Sequence, residues 1–195
     1  MTDENVPPNS AARRTRMTRE ARRALILSAA SEMFQKHGYA AASIDAIALA
    51  SGISGPAIYR YFSRKTEILV ALLESAASDA IGAIETAAGD GAMTIDLIAD
   101  VLVDRALREG AVIGLLQASI IDMDEADRSQ LDQVRRSLVG RLAALLAGVR
   151  SSIPADQART HIEAALAIVG QFARRSPDAA EVDRMRPILR AVLAA

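Results

Sequence analysis

Tyr59, Arg60, Tyr61 and Lys65 follow directly on the small residues Gly55, Pro56 and Ala57. Phenol hydroxyls and cationic heads donate hydrogen bonds to phosphate oxygens, and the arginine fork matches the edge of guanine. Small residues beside them let a backbone come close to a ligand surface. Ser43 and Ser54 add hydroxyls at the two places where a helix would start, and Arg13, Arg14 and Arg16 add positive charge upstream. The chemistry on offer is recognition of a polyanion. Nothing beside it makes or breaks bonds: the chain has no cysteine, no Gly-rich phosphate loop and no histidine pair at metal spacing. No enzyme activity and no cofactor are expected. The acidic run Ile121–Asp127 fits no calcium loop and reads as a helix junction with acids in a new first turn.

The elements that must hold these donors are legible between Ser43 and Lys65. Ser43 can cap a helix whose stripe is Ile44, Ile47 and Ala48, with Asp45 in its positive first turn. Gly52 supplies the left-handed conformation that ends it, and Ile53 plugs the corner. Ser54 can cap a second short helix with Pro56 in its first turn, where a missing N–H costs nothing. Ile58 and Phe62, four apart, share its inward face. Helix, Gly-containing turn, helix is the helix-turn-helix layout, whose second helix enters the DNA major groove.

The segment GISGPAIYRYFSRKTEIL resembles the signature of the TetR-type (TetR/AcrR) family of transcriptional regulators, through Gly52, Ile53, Ser54, Ala57, Ile58, Tyr59, Tyr61, Phe62 and Lys65. The likeness extends upstream through Phe34, Gly38, Tyr39 and Ser43. Pro56 stands where many members have Gly, and Thr66 where many have Glu. The resemblance implies a dimeric, ligand-responsive regulator, a repressor released from a palindromic double-stranded operator by a small apolar ligand. The implied fold is all-α, with an N-terminal three-helix DNA-binding domain and a C-terminal helical domain for ligand binding and dimerisation.

Charge agrees with a divided chain. Ser10–Lys65 carries ten Lys/Arg against three acids, whereas Thr66–Ala195 carries thirteen against nineteen, inside a net charge of −1. A basic first third on an acidic body points to a polyanion partner for that third alone. Residues 1–17 are polar and Pro-containing and read as a disordered basic arm, 18–65 as the DNA-binding domain and 66–195 as the second domain. No apolar run approaches the roughly 18 residues of a membrane span, so a cytoplasmic protein without a membrane partner is expected.

The remaining chain patterns as helices. Thr18 caps the first, to about His37; a long one runs from about Arg64 to Thr86 and ends at Asp90-Gly91. Others span about 93–108, 111–123, 124–149, 155–175 and 178 to the end, with a kink or restart at Pro187. By the resemblance, Met93, Leu97, Leu116, Gln117, Ile120, Met123, His161 and Phe172 would line an inducer pocket, and Ile162, Ala165, Val169, Phe172, Met185 and Leu189 a four-helix dimer interface. The spacing alone fits intramolecular core equally well in both cases. An all-helical module that binds protein or membrane, without sequence-specific DNA binding, is the alternative function; sequence preference in DNA binding separates the two.

Overall fold

The computed structural model describes residues 17–105, 123–173 and 178–195, and every regular element among them is helical. In chain order these are α1 (Arg19–His37), α2 (Ile44–Ala50), α3 (Gly55–Ile58), α4 (Lys65–Ala88), α5 (residues 95–105), α6 (Glu125–Val149), α7 (Ala155–Ala173) and α8 (Ala179–Ala194). None of them is long and apolar enough to cross a membrane.

Polar side chains set where these helices begin. The hydroxyls of Thr18 and Ser43 accept from the amides of Ala21 and Ala46, each at 3.1 Å, which satisfies N–H groups the first turn leaves open. The Asp124 carboxylate accepts from the Asp127 amide at 2.8 Å to start α6. At α8 the Asp178 carboxylate accepts from the Glu181 amide while the Glu181 carboxylate accepts from the Asp178 amide, a reciprocal cap. Gly89, at φ +50°, closes α4 just before the expected Asp90-Gly91 turn. Of the kink or restart expected at Pro187, the restart does not occur: α8 continues through the residue, with the ring on the exposed side.

The apolar residues gather into two clusters. The first joins Ile26, Phe34, Ile47, Ile58, Phe62 and the α4 residues Ile68–Leu73 with Met123 and Leu131 from the start of α6. The second holds Ile81 and Ile84 of α4, Ile98 and Leu102 of α5, Leu142 and Leu146 of α6, and the inner faces of α7 and α8. The clusters divide within α4, after Leu73. Two helices, α4 and α6, therefore contribute to both clusters.

The six residues expected at a dimer interface pack against the chain's own second cluster. Ile162, Ala165, Val169, Met185 and Leu189 are all fully buried in the chain's own second cluster, and Phe172 packs half-buried against it. The strongest apolar stripe of an amphipathic helix goes to the nearest core, here the packing of α7 on α8. What these helices leave outside is weaker: Ala164 and Ala167 on α7, and Pro187, Ile188 and Ala191 on α8. An ion-pair ladder also fastens α8 to α5: Arg186 reaches Asp100 at 3.1 Å and Asp104 at 2.7 Å, and Arg190 reaches Asp96 and Asp100 at 3.1 Å.

Candidate nucleic-acid interface

The α2–α3 corner is built as its residue types require. Gly52 sits at φ +67°, and the Ile53 amide bonds the Ala48 carbonyl at 2.9 Å, which turns the chain sharply into α3. The α3 helix is only one turn, but the Phe62 amide still bonds the Ile58 carbonyl at 3.0 Å, so the backbone keeps curling past Tyr59 and Arg60. Ile58 and Phe62 are buried, and their burial fixes which side of this turn faces outward.

Tyr59 is 49% exposed, and Arg60, Pro56 and Ser54 are exposed beside it. Ser43 is exposed but its hydroxyl is engaged as a cap, whereas Ser54 makes no side-chain cap bond. Gly55 is half-buried, and a Cβ there would lie 3.5 Å from an oxygen of Asp45. Ala57 faces inward, only 8% exposed, so it packs the corner instead of meeting a ligand. Tyr61 is half-buried against the first cluster. Arg13, Arg14 and Arg16 lie outside the described residues.

Two arginines of α1 join this surface. The Arg19 guanidinium lies 6.0 Å from the Tyr61 ring and that of Arg23 5.3 Å from the Phe62 ring, cation–π contacts that sequence periodicity does not reveal. A groove of about 300 Å³ runs between α1 and the corner, bounded by Met17, Arg22, Leu25, Ile53, Ser54 and Arg60. Cations thus flank the exposed turn on both sides.

Lys65 has a structural task. Its ammonium donates to the carbonyls of Tyr39 at 2.6 Å and Ala40 at 3.3 Å, which ties the loop between α1 and α2 to the start of α4. Partial burial holds its pKa below the ordinary lysine value. Two of its three donors are spent on protein carbonyls.

Beneath this lies a polar network that the sequence did not disclose. Thr66, 3% exposed, donates its hydroxyl proton to the Asp127 carboxylate, so the Tyr39 hydroxyl, 3.0 Å away, must donate to Thr66. The same carboxylate meets the Arg64 guanidinium at 3.0 Å. Burial pushes the Tyr39 phenol above its ordinary pKa, and the charges of Asp127 and Asp124 add to the rise.

Among the described residues, the apolar ones expected at a ligand pocket divide between the two clusters. Met123 is buried in the first cluster, whereas Met93, Leu97 and Phe172 pack at the edge of the second. His161 is half-buried, its Nδ1 3.3 Å from Arg150, and Leu116, Gln117 and Ile120 lie outside the described residues. Among the described residues no group of three or more acids and histidines is placed to hold a metal ion.

Residues 26–72 match the family of bacterial regulatory proteins described as the tetR family. The HTH-type transcriptional activator FasR of Mycolicibacterium smegmatis (strain ATCC 700084 / mc(2)155) is 37% identical over 84 residues, a stretch that covers 43% of this chain and 38% of FasR. The fatty acid degradation regulator FadR from Bacillus halodurans has a similar fold, with a TM-score of 0.76 at 15% identity, covering 92% of this chain and 98% of that one. FadR from Bacillus subtilis, solved in complex with stearoyl-CoA, has a TM-score of 0.70 at 18% identity, covering 88% and 97%. The matched helix-turn-helix, the exposed donors that it presents and the shared all-helical architecture agree: residues 26–72 form a DNA-binding domain of the tetR family, on a chain whose fold is that of the two FadR regulators.

Proposed function

We propose that this regulator binds a palindromic operator as a homodimer and represses transcription until a small apolar ligand releases it. The observation that carries the DNA-binding part is the exposed turn from Ser54 to Arg60, flanked by Arg19, Arg22 and Arg23 on a buried apolar base. One such turn reads few bases, so two copies spaced by about one helical turn (~34 Å) are needed for a unique site. The exposed outer face of α7 and α8, with Ala164, Ala167, Pro187, Ile188 and Ala191, is the surface through which we expect the copies to pair. Its small side chains allow close approach.

The second domain is aliphatic and nearly free of aromatic rings, which suits a flexible acyl chain better than a flat ring system. A long-chain acyl thioester is the proposed ligand class, supported by the fold shared with the stearoyl-CoA complex. Activation is the second reading, favoured by one observation: FasR, which shares 37% of its residues over the matched stretch, is an activator.

A gel shift on the DNA upstream of the gene, with excess nonspecific competitor and a salt series, tests the proposal. Binding that survives competitor, falls with salt and is reversed by stearoyl-CoA supports it. Binding that competitor removes entirely defeats the operator reading, and specific binding indifferent to acyl thioesters defeats the ligand assignment. A reporter under the same DNA separates repression from activation.

A further inference from the structure

We infer that Asp127 is a second mechanical input to the DNA-binding head, acting from α6 through Thr66, Arg64 and Tyr39 and joining the α4 rod at its first turn. The inference rests on the DNA-binding reading above.

The first turn of α6 lies far from the helix-turn-helix in sequence, yet it is built into the base of that unit. Met123 and Leu131 are buried in its core. Between them the Asp127 carboxylate takes the Thr66 proton and faces the Arg64 guanidinium at 3.0 Å. Thr66 in turn accepts from Tyr39, in the loop between α1 and α2. One carboxylate therefore reaches the residue before α4, the first turn of α4 and the loop after α1. The Arg128 guanidinium donates to the Met123 carbonyl at 2.8 Å, fastening this turn of α6 to the segment that precedes it.

The consequence is directional. Rotation of the head about the α4 axis would leave α4 intact but separate Asp127 from Thr66 and Arg64. A largely buried carboxylate that loses its partners is costly, so the head moves only if α6 moves with it. The helix α6 itself runs from Asp127 and Leu131 at the joint to Leu142 and Leu146 in the second cluster. A displacement in the second domain thus has a covalent path to the joint.

The test uses the full chain with the variants Asp127→Ala, Asp127→Asn and Thr66→Val; the last removes only a hydroxyl at near-constant shape and guards against misfolding of the first. Amide hydrogen exchange is read for every helix, and operator affinity is measured on the same samples. The expected result is faster exchange confined to α1–α3 and the Tyr39–Ala40 loop, with α7 and α8 unchanged, and operator affinity lowered about five-fold or more in Asp127→Ala and Thr66→Val. Asp127→Asn, which keeps an acceptor for Thr66, should fall between. Uniform acceleration over all helices would make Asp127 a stability residue only and overturns the inference. Unchanged exchange, or selective exchange with unchanged affinity, also overturns it. If the wild-type chain shows no sequence-specific DNA binding, the functional reading fails, and the exchange pattern still decides whether the joint exists.

Discussion

The ammonium of Lys65 lies 4.3 Å from the centroid of the Tyr39 ring while donating to the carbonyl of the same residue at 2.6 Å. Ring and carbonyl grip one cation from two sides, and the loop between α1 and α2 is held against the start of α4. Lys65→Ala should therefore lower stability by about 1–2 kcal/mol through the lost hydrogen bonds and ring contact, read as a shift in denaturant midpoint. Lys65→Met, which keeps the stem but not the donors, should recover little. Wild-type stability for both would show that the grip contributes nothing.

Tyr59 and Arg60 differ in what they should recognise. Tyr59→Ala should weaken binding to all DNA sequences alike, as loss of a phosphate donor does. Arg60→Ala should relax preference at one base position, by about 1–3 kcal/mol if its fork meets a base edge. Affinities for a set of single-base operator variants distinguish the patterns, and a uniform loss for Arg60→Ala would reassign it to the backbone.

Acid should loosen the N-terminus of α4. The Glu67 carboxylate accepts from the hydroxyl and the amide of Ser63, each at 2.7 Å, and the hydroxyl bond is the main cause of a pKa held below 4.5. Because the folded value lies below the unfolded one, the stabilisation is complete above about pH 4.5 and is lost as pH falls through the folded value. Glu67 is only half-buried, so solvent screens the effect and keeps it small. In Glu67→Gln the stability curve below pH 4.5 should be flatter; identical slopes would remove Glu67 as the source.

Gly52→Ala isolates backbone strain. Nothing lies within 4 Å of a Cβ built there, so the cost is the positive φ of +67° alone. A loss of about 1 kcal/mol is expected, and Gly52→Asn should lose less. The thermal midpoint is the readout, and an unchanged value for Gly52→Ala would mean that the turn relaxes.

Ile188 and Met185 separate the proposed pairing surface from the core. Ile188 is 46% exposed and Met185 is fully buried on the same helix. Ile188→Glu should turn dimer into monomer in sedimentation with helix content retained. Met185→Ala should cost about 2–5 kcal/mol of folding stability. A dimer that tolerates Ile188→Glu would move the pairing surface elsewhere.

Much of this was legible because its causes are local. Thr18, Ser43 and Asp124 cap helices through bonds that span three residues, and Gly52 turns the chain by its own φ. The faces of α7 and α8 were not legible. Ile162, Ala165 and Val169 form the stronger apolar stripe, but periodicity does not say whether a stripe meets its own chain or another; here the intramolecular core takes it. Ala57 fell on the inward side of a one-turn helix, where a shift of one position reverses the face. The Asp127 joint was invisible for another reason. Its partners Arg64 and Thr66 lie more than sixty positions away, and read locally Asp127 is only an acid in a helix's first turn.

The sharing of α6 between the two clusters bears on how the chain is made. Synthesis proceeds from the N-terminus, yet the core beneath the helix-turn-helix includes Met123 and Leu131. A nascent chain that has emerged only through α5 carries all three recognition-unit helices above an unfinished floor, with Ile68–Leu73 lacking the side chains that cover them. DNA-binding competence should therefore arrive late in translation, once the first turns of α6 have left the ribosome. A fragment cut at residue 105 should be a poor substitute for the intact head.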